Sequence, residues 1–268
     1  MHRHQQVTTP SAPAPALELR GVSCAFGAHA VFDGIDLTIP PGQMVALLGP
    51  SGAGKTTLLR ILAGTLPPGR GTVRVLGAEL GRLSARQLRR LRQRVGFLYQ
   101  TDALVPGLRT VHNVLIGRLG HWSLLRSLLS LVWPQEVERA RAALAAVGIP
   151  EKLHAPVAAL SGGQRQRVAI ARLLAQDSEL ILADEPAAAL DPRLRRATIE
   201  LLVRLARERG RTCLVSLHDL ELMGAGFDRV LALRHGRWFF DGPPGGLDAA
   251  RIAELFAEER ARGVEPDA

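Results

Sequence analysis

Lysine is almost missing from this 268-residue chain: of 34 lysines and arginines, all but Lys55 and Lys152 are arginine. The formal net charge of +9 is therefore an arginine charge, and clusters such as Arg86 to Arg94 carry the groups that bind phosphates in nucleic acids. The solvated face of a helix is the simpler account of such a cluster, and acidic lipid head groups would tolerate it. No nucleic-acid partner is expected. Cysteine is scarce too. Cys24 and Cys213 lie far apart and form no C-x-x-C pair, which suits a reducing cytosol. Long apolar runs are lacking: the most apolar region, Val114 to Trp133, is broken by Arg118, His121 and Arg126, so no segment is expected to span a membrane. Residues 1–16 are rich in Pro, Ala and Thr without a hydrophobic core of signal type, and read as a disordered tail. The length fits one or two domains with ample core.

What is present is a phosphate loop. Gly49-Pro50-Ser51-Gly52-Ala53-Gly54-Lys55-Thr56 fits G-x-x-x-x-G-K-[ST], between an apolar strand, Met44–Leu48, and a helix, Thr57–Ala63. Its glycines let the backbone turn tightly, so that successive N–H groups point at phosphate oxygens while the helix start adds partial positive charge. Lys55 is expected to reach the β- and γ-phosphates of ATP, and the Thr56 hydroxyl to ligate Mg²⁺. The expected phosphate-binding set is Gly49 to Thr57.

A second apolar strand, Leu180–Ala183, ends in Asp184 and Glu185. Two carboxylates there are costly unless they have chemistry to do. Asp184 is assigned to Mg²⁺, and Glu185 to accepting a proton from the water that attacks the γ-phosphorus. Between these motifs stands Leu160-Ser161-Gly162-Gly163-Gln164, opening a helix read as Arg165–Ala175. Ser161 and the N–H groups of Gly162 and Gly163 form an anion site at that helix start. A nucleotide site within one chain has no need of it, so a second copy is expected to complete the site.

In this order, the three motifs resemble the ATP-binding subunit of an ABC transporter, from about Leu17 to Leu247. The resemblance implies further roles. Gln100, ending Val95–Gln100, matches the Q-loop glutamine that contacts Mg²⁺ and the attacking water. His218, ending Cys213–His218, matches the switch histidine that bonds the γ-phosphate. Asp191 matches the D-loop aspartate, although Ala188 stands where the family often has Ser. Phe26 falls where an aromatic ring stacks on adenine; a core Phe in a strand is the competing account. Ser161 to Gln164 are implied to face ATP held by the other copy, in a head-to-tail dimer.

The resemblance implies an α/β P-loop fold of ABC type: a mostly parallel sheet, an antiparallel β subdomain (Leu17–Val22, Ile35–Ile39, Thr72–Val75) and a helical subdomain over about 101–160. Glu136–Val147 reads as an amphipathic helix, with Pro134 placed to start it. From about 161 to 240 each parallel strand is expected to precede a helix, such as Leu194–Arg209 stopped by Gly210. The ATPase domain spans 17–247, and 248–268 supply a C-terminal helix and tail.

Asn113 to Gly120, then Trp122 and Arg126 to Leu129, together with Arg237 to Pro244, resemble the ATPase subunit of phosphonate importers. That implies peripheral attachment to the cytoplasmic face of the cell membrane, an integral permease as partner and, indirectly, a substrate-binding protein. Part of the apolar stretch beyond Gln100 is expected to receive the permease, against the alternative that all of it is buried. These importers commonly carry Asn-Leu-His-Gln where Ser216-Leu217-His218-Asp219 stands, so other small oxyanions stay open as substrates. Export stays open too, with import favoured because no membrane helices are fused to the cassette. A chromosome ATPase would need a long coiled coil between Lys55 and Ser161, which lacks sustained heptads.

Overall fold

The computed structural model describes residues 14–99 and 104–257. It opens with a hairpin, β1 (Leu17–Phe26) and β2 (His29–Ile39), in which buried side chains interleave with exposed ones, as a sheet with one covered face requires. β3 (Met44–Leu48) is buried along its whole length. It runs into the glycine turn, and α1 (Lys55–Leu62) then buries Leu58, Leu59, Ile61 and Leu62. The chain returns through β4 (Arg70–Val75) and β5 (Ala78–Glu79), completing an antiparallel sheet in the order β2-β1-β4-β5. All three expected antiparallel segments lie within it.

A Ser84–Gln87 capping box opens α2 (Ala85–Arg94), which leads into β6 (Val95–Leu98). The helical region holds α3 (Thr110–Leu115), a 3₁₀ stretch over Ile116–His121, α4 (Leu124–Val132) and α5 (Val137–Ala146). The chain continues through α6 (Gly162–Gln176), β7 (Leu180–Asp184), α7 (Pro192–Glu208), β8 (Thr212–Ser216), β9 (Arg229–Arg234), β10 (Arg237–Gly242) and α8 (Ala249–Leu255). The second sheet runs β10-β9-β3-β8-β7-β6, parallel except for the β9–β10 hairpin.

Strand alternation divides the core in two. Met44, Ala46 and Leu48 pack with Val168, Ile170 and Ile199, while Val45 and Leu47 pack with Leu58, Ile61 and Leu19. The parallel sheet is thus covered by helices on one side and by α1 with the antiparallel sheet on the other. Such double coverage is why β3, β7 and β8 are buried along their whole length rather than alternating.

Three local expectations need correction. α5 (Val137–Ala146) matches the expected Glu136–Val147, with those two residues as its caps, but it does not start at Pro134, because Glu136 takes a left-handed turn at φ 51°. Its carboxylate meets Trp122 Nε1 at 3.0 Å, Arg126 at 3.0 Å, Arg139 at 3.1 Å and Arg118 at 3.2 Å. Burial pushes the Glu136 carboxyl up, but the Trp122 bond and the arginines outweigh it and hold the group below its ordinary value. Second, no α-helix follows β8. Asp219 caps a single 3₁₀ turn, Leu220–Gly224, before β9 begins. Third, β9 turns straight back into antiparallel β10. Gly210 does stop α7: at φ 61° its N–H returns to Arg207 O at 2.9 Å.

Candidate nucleotide site

The phosphate loop is shaped by what surrounds it. Gly49 has φ 152°, and a Cβ there would lie 2.3 Å from the Leu233 carbonyl oxygen on β9. Gly54 has φ 101°, and its Cβ would meet the Phe32 ring at 2.6 Å. Both positions need a left-handed backbone and a missing side chain at once. The loop therefore folds closely against β9 and β2, leaving its N–H groups at the start of α1.

Lys55 is buried inside this turn. Its Nζ donates to Gly49 O at 2.7 Å and lies 3.6 Å from Glu185 Oε1. Thr56 Oγ1 donates to Asp184 Oδ1 at 3.1 Å, so α1 and β7 bring the expected metal ligands side by side. Asp184 is itself buried at the end of β7. Among the described residues no cluster of three or more His, Cys, Asp or Glu side chains is arranged to cage a metal ion. Mg²⁺ needs none: it is commonly bound by one or two hard oxygen groups together with substrate phosphates and water. A hydroxyl and a carboxylate beside a phosphate loop fit that requirement.

Sequence reasoning missed Ser216. This fully buried residue ends β8, donates to Asp184 Oδ1 at 2.9 Å and accepts the Glu185 N–H at 2.9 Å. The available signal was a hydroxyl closing an otherwise apolar strand beside a carboxylate strand. Glu185 sits at φ 43°, a region costing a non-glycine residue about 1–3 kcal/mol. The Ser216 bond helps hold it there.

His218 is half-buried and shares a cavity of about 120 Å³ with Glu185, Ala188, Arg195 and Asp219. Arg195 reaches Asp219 at 3.3 Å. A separate groove of about 410 Å³ runs along Pro50 to Ala53, His29 to Val31 and Arg234 to Gly236. Phe26 pairs with His29 across the β1–β2 hairpin and its side chain is 55% exposed. That exposure removes the core account of Phe26 and leaves its ring face available.

Ser161 caps α6 through a reciprocal pair: Gln164 N–H donates to Ser161 Oγ at 3.3 Å, and Ser161 N–H to Gln164 Oε1 at 3.1 Å. Leu190 and Leu194 flank Gly162 and Gly163. Asp191 caps α7 by accepting the Leu194 N–H at 3.1 Å. The Ser-Gly-Gly-Gln turn and the D-loop segment therefore lie next to each other. Gln100 lies outside the described residues.

Residues 32–188 match the family model for ABC transporters, more than half of the chain. The chain belongs to the ABC transporter family. Within that family it is 48% identical over 247 residues to a phosphonates import ATP-binding protein of Pseudomonas aeruginosa, covering 91% of this chain and 92% of that one. It is 49% identical over 255 residues to a protein of the same description from Anaeromyxobacter dehalogenans. That match takes in 95% of this chain, which spans about half, 51%, of that longer relative. A bacterial ABC transporter cassette solved as a dimer superposes with a TM-score of 0.72 at 29% identity, covering 85% of this chain and 98% of that one. The α/β ABC fold with its parallel core, antiparallel subdomain and helical region is thus that of the family's ATPase cassettes.

Proposed function

We propose that this chain is the ATP-hydrolysing subunit of an importer for phosphonates or related organophosphorus oxyanions, working as a head-to-tail pair beneath a membrane permease. The observation that carries the ATPase reading is the meeting of Lys55, Thr56, Asp184, Glu185 and Ser216 where α1, β7 and β8 converge. The substrate reading is supported by the identity to phosphonates import ATP-binding proteins and by the segments Asn113 to Leu129 and Phe239 to Pro244.

In this reading the N–H groups of the 49–54 loop and Lys55 bind the β- and γ-phosphates, the Phe26 ring stacks on adenine, and Thr57 continues the phosphate-binding set. Thr56, Asp184 and Gln100 would hold Mg²⁺, which supplies charge neutralisation on the phosphates. Glu185 takes a proton from the attacking water, and His218 hydrogen-bonds the γ-phosphate. Ser161, Gly162, Gly163, Gln164 and Asp191 of one copy face ATP on the other. The pair sits at the cytoplasmic face of the cell membrane as a peripheral component, joined to permease subunits that a substrate-binding protein feeds. No helix among the described residues is long and apolar enough to cross a membrane.

The test is reconstitution in vesicles with a permease and a binding protein of the phosphonate importer type. ATP hydrolysis is expected to rise with a small alkylphosphonate and not with maltose, amino acids or metal chelates. Deleting the gene should abolish growth on a phosphonate as sole phosphorus source and spare growth on phosphate. Unchanged growth, in a strain with no second importer, would refute the substrate assignment.

A further inference from the structure

Among the described residues, most of the exposed large apolar side chains gather on one helix and its C-terminal end. On α4, Leu124, Leu125, Leu128, Leu129 and Val132 are 79%, 78%, 56%, 54% and 85% exposed, and the following Trp133 is 73% exposed. These positions follow i, i+1, i+4, i+5, i+8 and i+9 spacing, so they form one continuous stripe. The stripe is presented rather than loose. Ser123 caps α4, Trp122 packs against the core, and Arg126 both stacks 5.0 Å from the Trp122 ring and bonds Glu136 at 3.0 Å. Six large apolar side chains held outward exceed what scattered surface hydrophobics explain.

Charge next to the stripe identifies what covers it. The preceding Ile116–His121 stretch is joined to α2 by a bond from Gln93 Nε2 to Gly120 O. Arg86, Arg89 and Arg90 share helical spacing i, i+3, i+4 with Gln93 at i+7, so they lie on the α2 face that carries this bond. All three are exposed, α2 holds no acidic residue, and no carboxylate among the described residues pairs with them. Arg89 also borders the groove made with Gly117 and Gly120. α4 has no acidic residue either. An apolar helix that ends in the exposed Trp133, linked through the Ile116–His121 stretch to an unneutralised arginine face, matches the surface of an anionic bilayer: side chains enter the acyl boundary while guanidinium groups meet phosphates.

We propose that α4 and the arginine face of α2 form a lipid-docking surface, by which the subunit binds anionic membranes directly, in addition to any contact with a permease. The inference concerns lipid alone and stands or falls separately from the proposed transport function. The probes are vesicles of phosphatidylcholine, with or without phosphatidylglycerol, and the full-length chain without other subunits. At low ionic strength, the protein is expected to float with the phosphatidylglycerol vesicles and to stay largely behind with pure phosphatidylcholine. Replacing Arg86, Arg89 and Arg90 together by Gln should weaken the anionic binding by ~10²-fold, from the contribution of each basic residue near such a surface. The Leu128→Ser/Leu129→Ser pair should weaken binding to both vesicle types, while ATP hydrolysis in solution stays unchanged and reports an intact fold. A blue shift of tryptophan emission on binding, lost in Trp133→Ser, places the end of α4 in the bilayer. Absence of anionic-vesicle binding, or binding unaltered by both sets of substitutions, overturns the proposal. Binding only to vesicles that contain the permease overturns it as well, and gives the stripe to a protein partner.

Discussion

The Ser216 hydroxyl donates to Asp184 Oδ1 across 2.9 Å, tying the end of β8 to the end of β7. The same oxygen accepts the N–H of Glu185, so one buried side chain positions two carboxylates with different assigned tasks. Ser216→Ala removes both bonds and leaves a part-buried N–H without its acceptor, at a cost of about 1–3 kcal/mol in stability. Turnover should fall ~10–100-fold through misplacement of Glu185, with ATP affinity nearly unchanged. Equal losses of binding and turnover, measured by titration and phosphate release, would assign Ser216 to the fold alone.

Glu185→Gln keeps the shape of the side chain and removes its basicity. Hydrolysis should slow by ~10²–10⁴, or about 3–5 kcal/mol of barrier, while ATP still binds. The variant should accumulate as an ATP-bound dimer in size-exclusion chromatography. Near-normal phosphate release would assign the proton to another group.

Ser161→Arg tests whether the site is shared. A long cation at the start of α6 should block hydrolysis and leave nucleotide binding by the isolated monomer within about threefold, a difference below 0.7 kcal/mol by the affinity relation. Mixing it with Glu185→Gln subunits gives mixed dimers in which one of the two sites keeps both Glu185 and the partner's Ser161. Loss of ATP binding by the Ser161→Arg monomer would make the site internal to one chain.

The two thiols offer a test of the core. Burial pushes Cys213 up to about 12 and also raises Cys24, and thiolate is the reactive form. Neither should react with Ellman's reagent at neutral pH until the chain unfolds. A raised folded-state value means that the Cys213 contribution to stability is fully present below its ordinary value of 9.0 and is lost as pH rises from there through about 12. Urea midpoints should therefore fall as pH rises across that alkaline range, and Cys213→Ala should flatten the fall.

Legibility in the sequence followed the range of the forces involved. β3 is buried on both faces and bounded by a glycine turn, so composition alone marks it as Met44–Leu48. The spacing of Ser161 and Gln164 likewise contains its own capping partner. By contrast, the charge cluster on Glu136 is assembled by Trp122 and Arg118 arriving from elsewhere in the chain, and no local rule at Pro134 contains them. Ser216 escaped for the same reason, since its partners lie on β7 and become neighbours only through strand order. The apolar run after Asn113 was ambiguous as a whole. Folding splits it, with Asn113, Val114 and Leu115 inside and most of α4 outside. Hydrophobicity alone does not report which side a helix turns toward the core.

The reciprocal bonds between Ser161 and Gln164 use the serine oxygen as an acceptor, at 3.3 Å, and the glutamine oxygen for the serine N–H, at 3.1 Å. The serine proton points to no partner fixed by the cap, so it can be given to an incoming phosphate without undoing α6. A face prepared in this way needs no local ordering when the second copy arrives. For subunits free of the permease, closure is then a collision between two finished surfaces. Its rate should scale with the square of subunit concentration and fall as the solvent is made more viscous, the behaviour of a diffusional encounter rather than of a loop that must first find its shape.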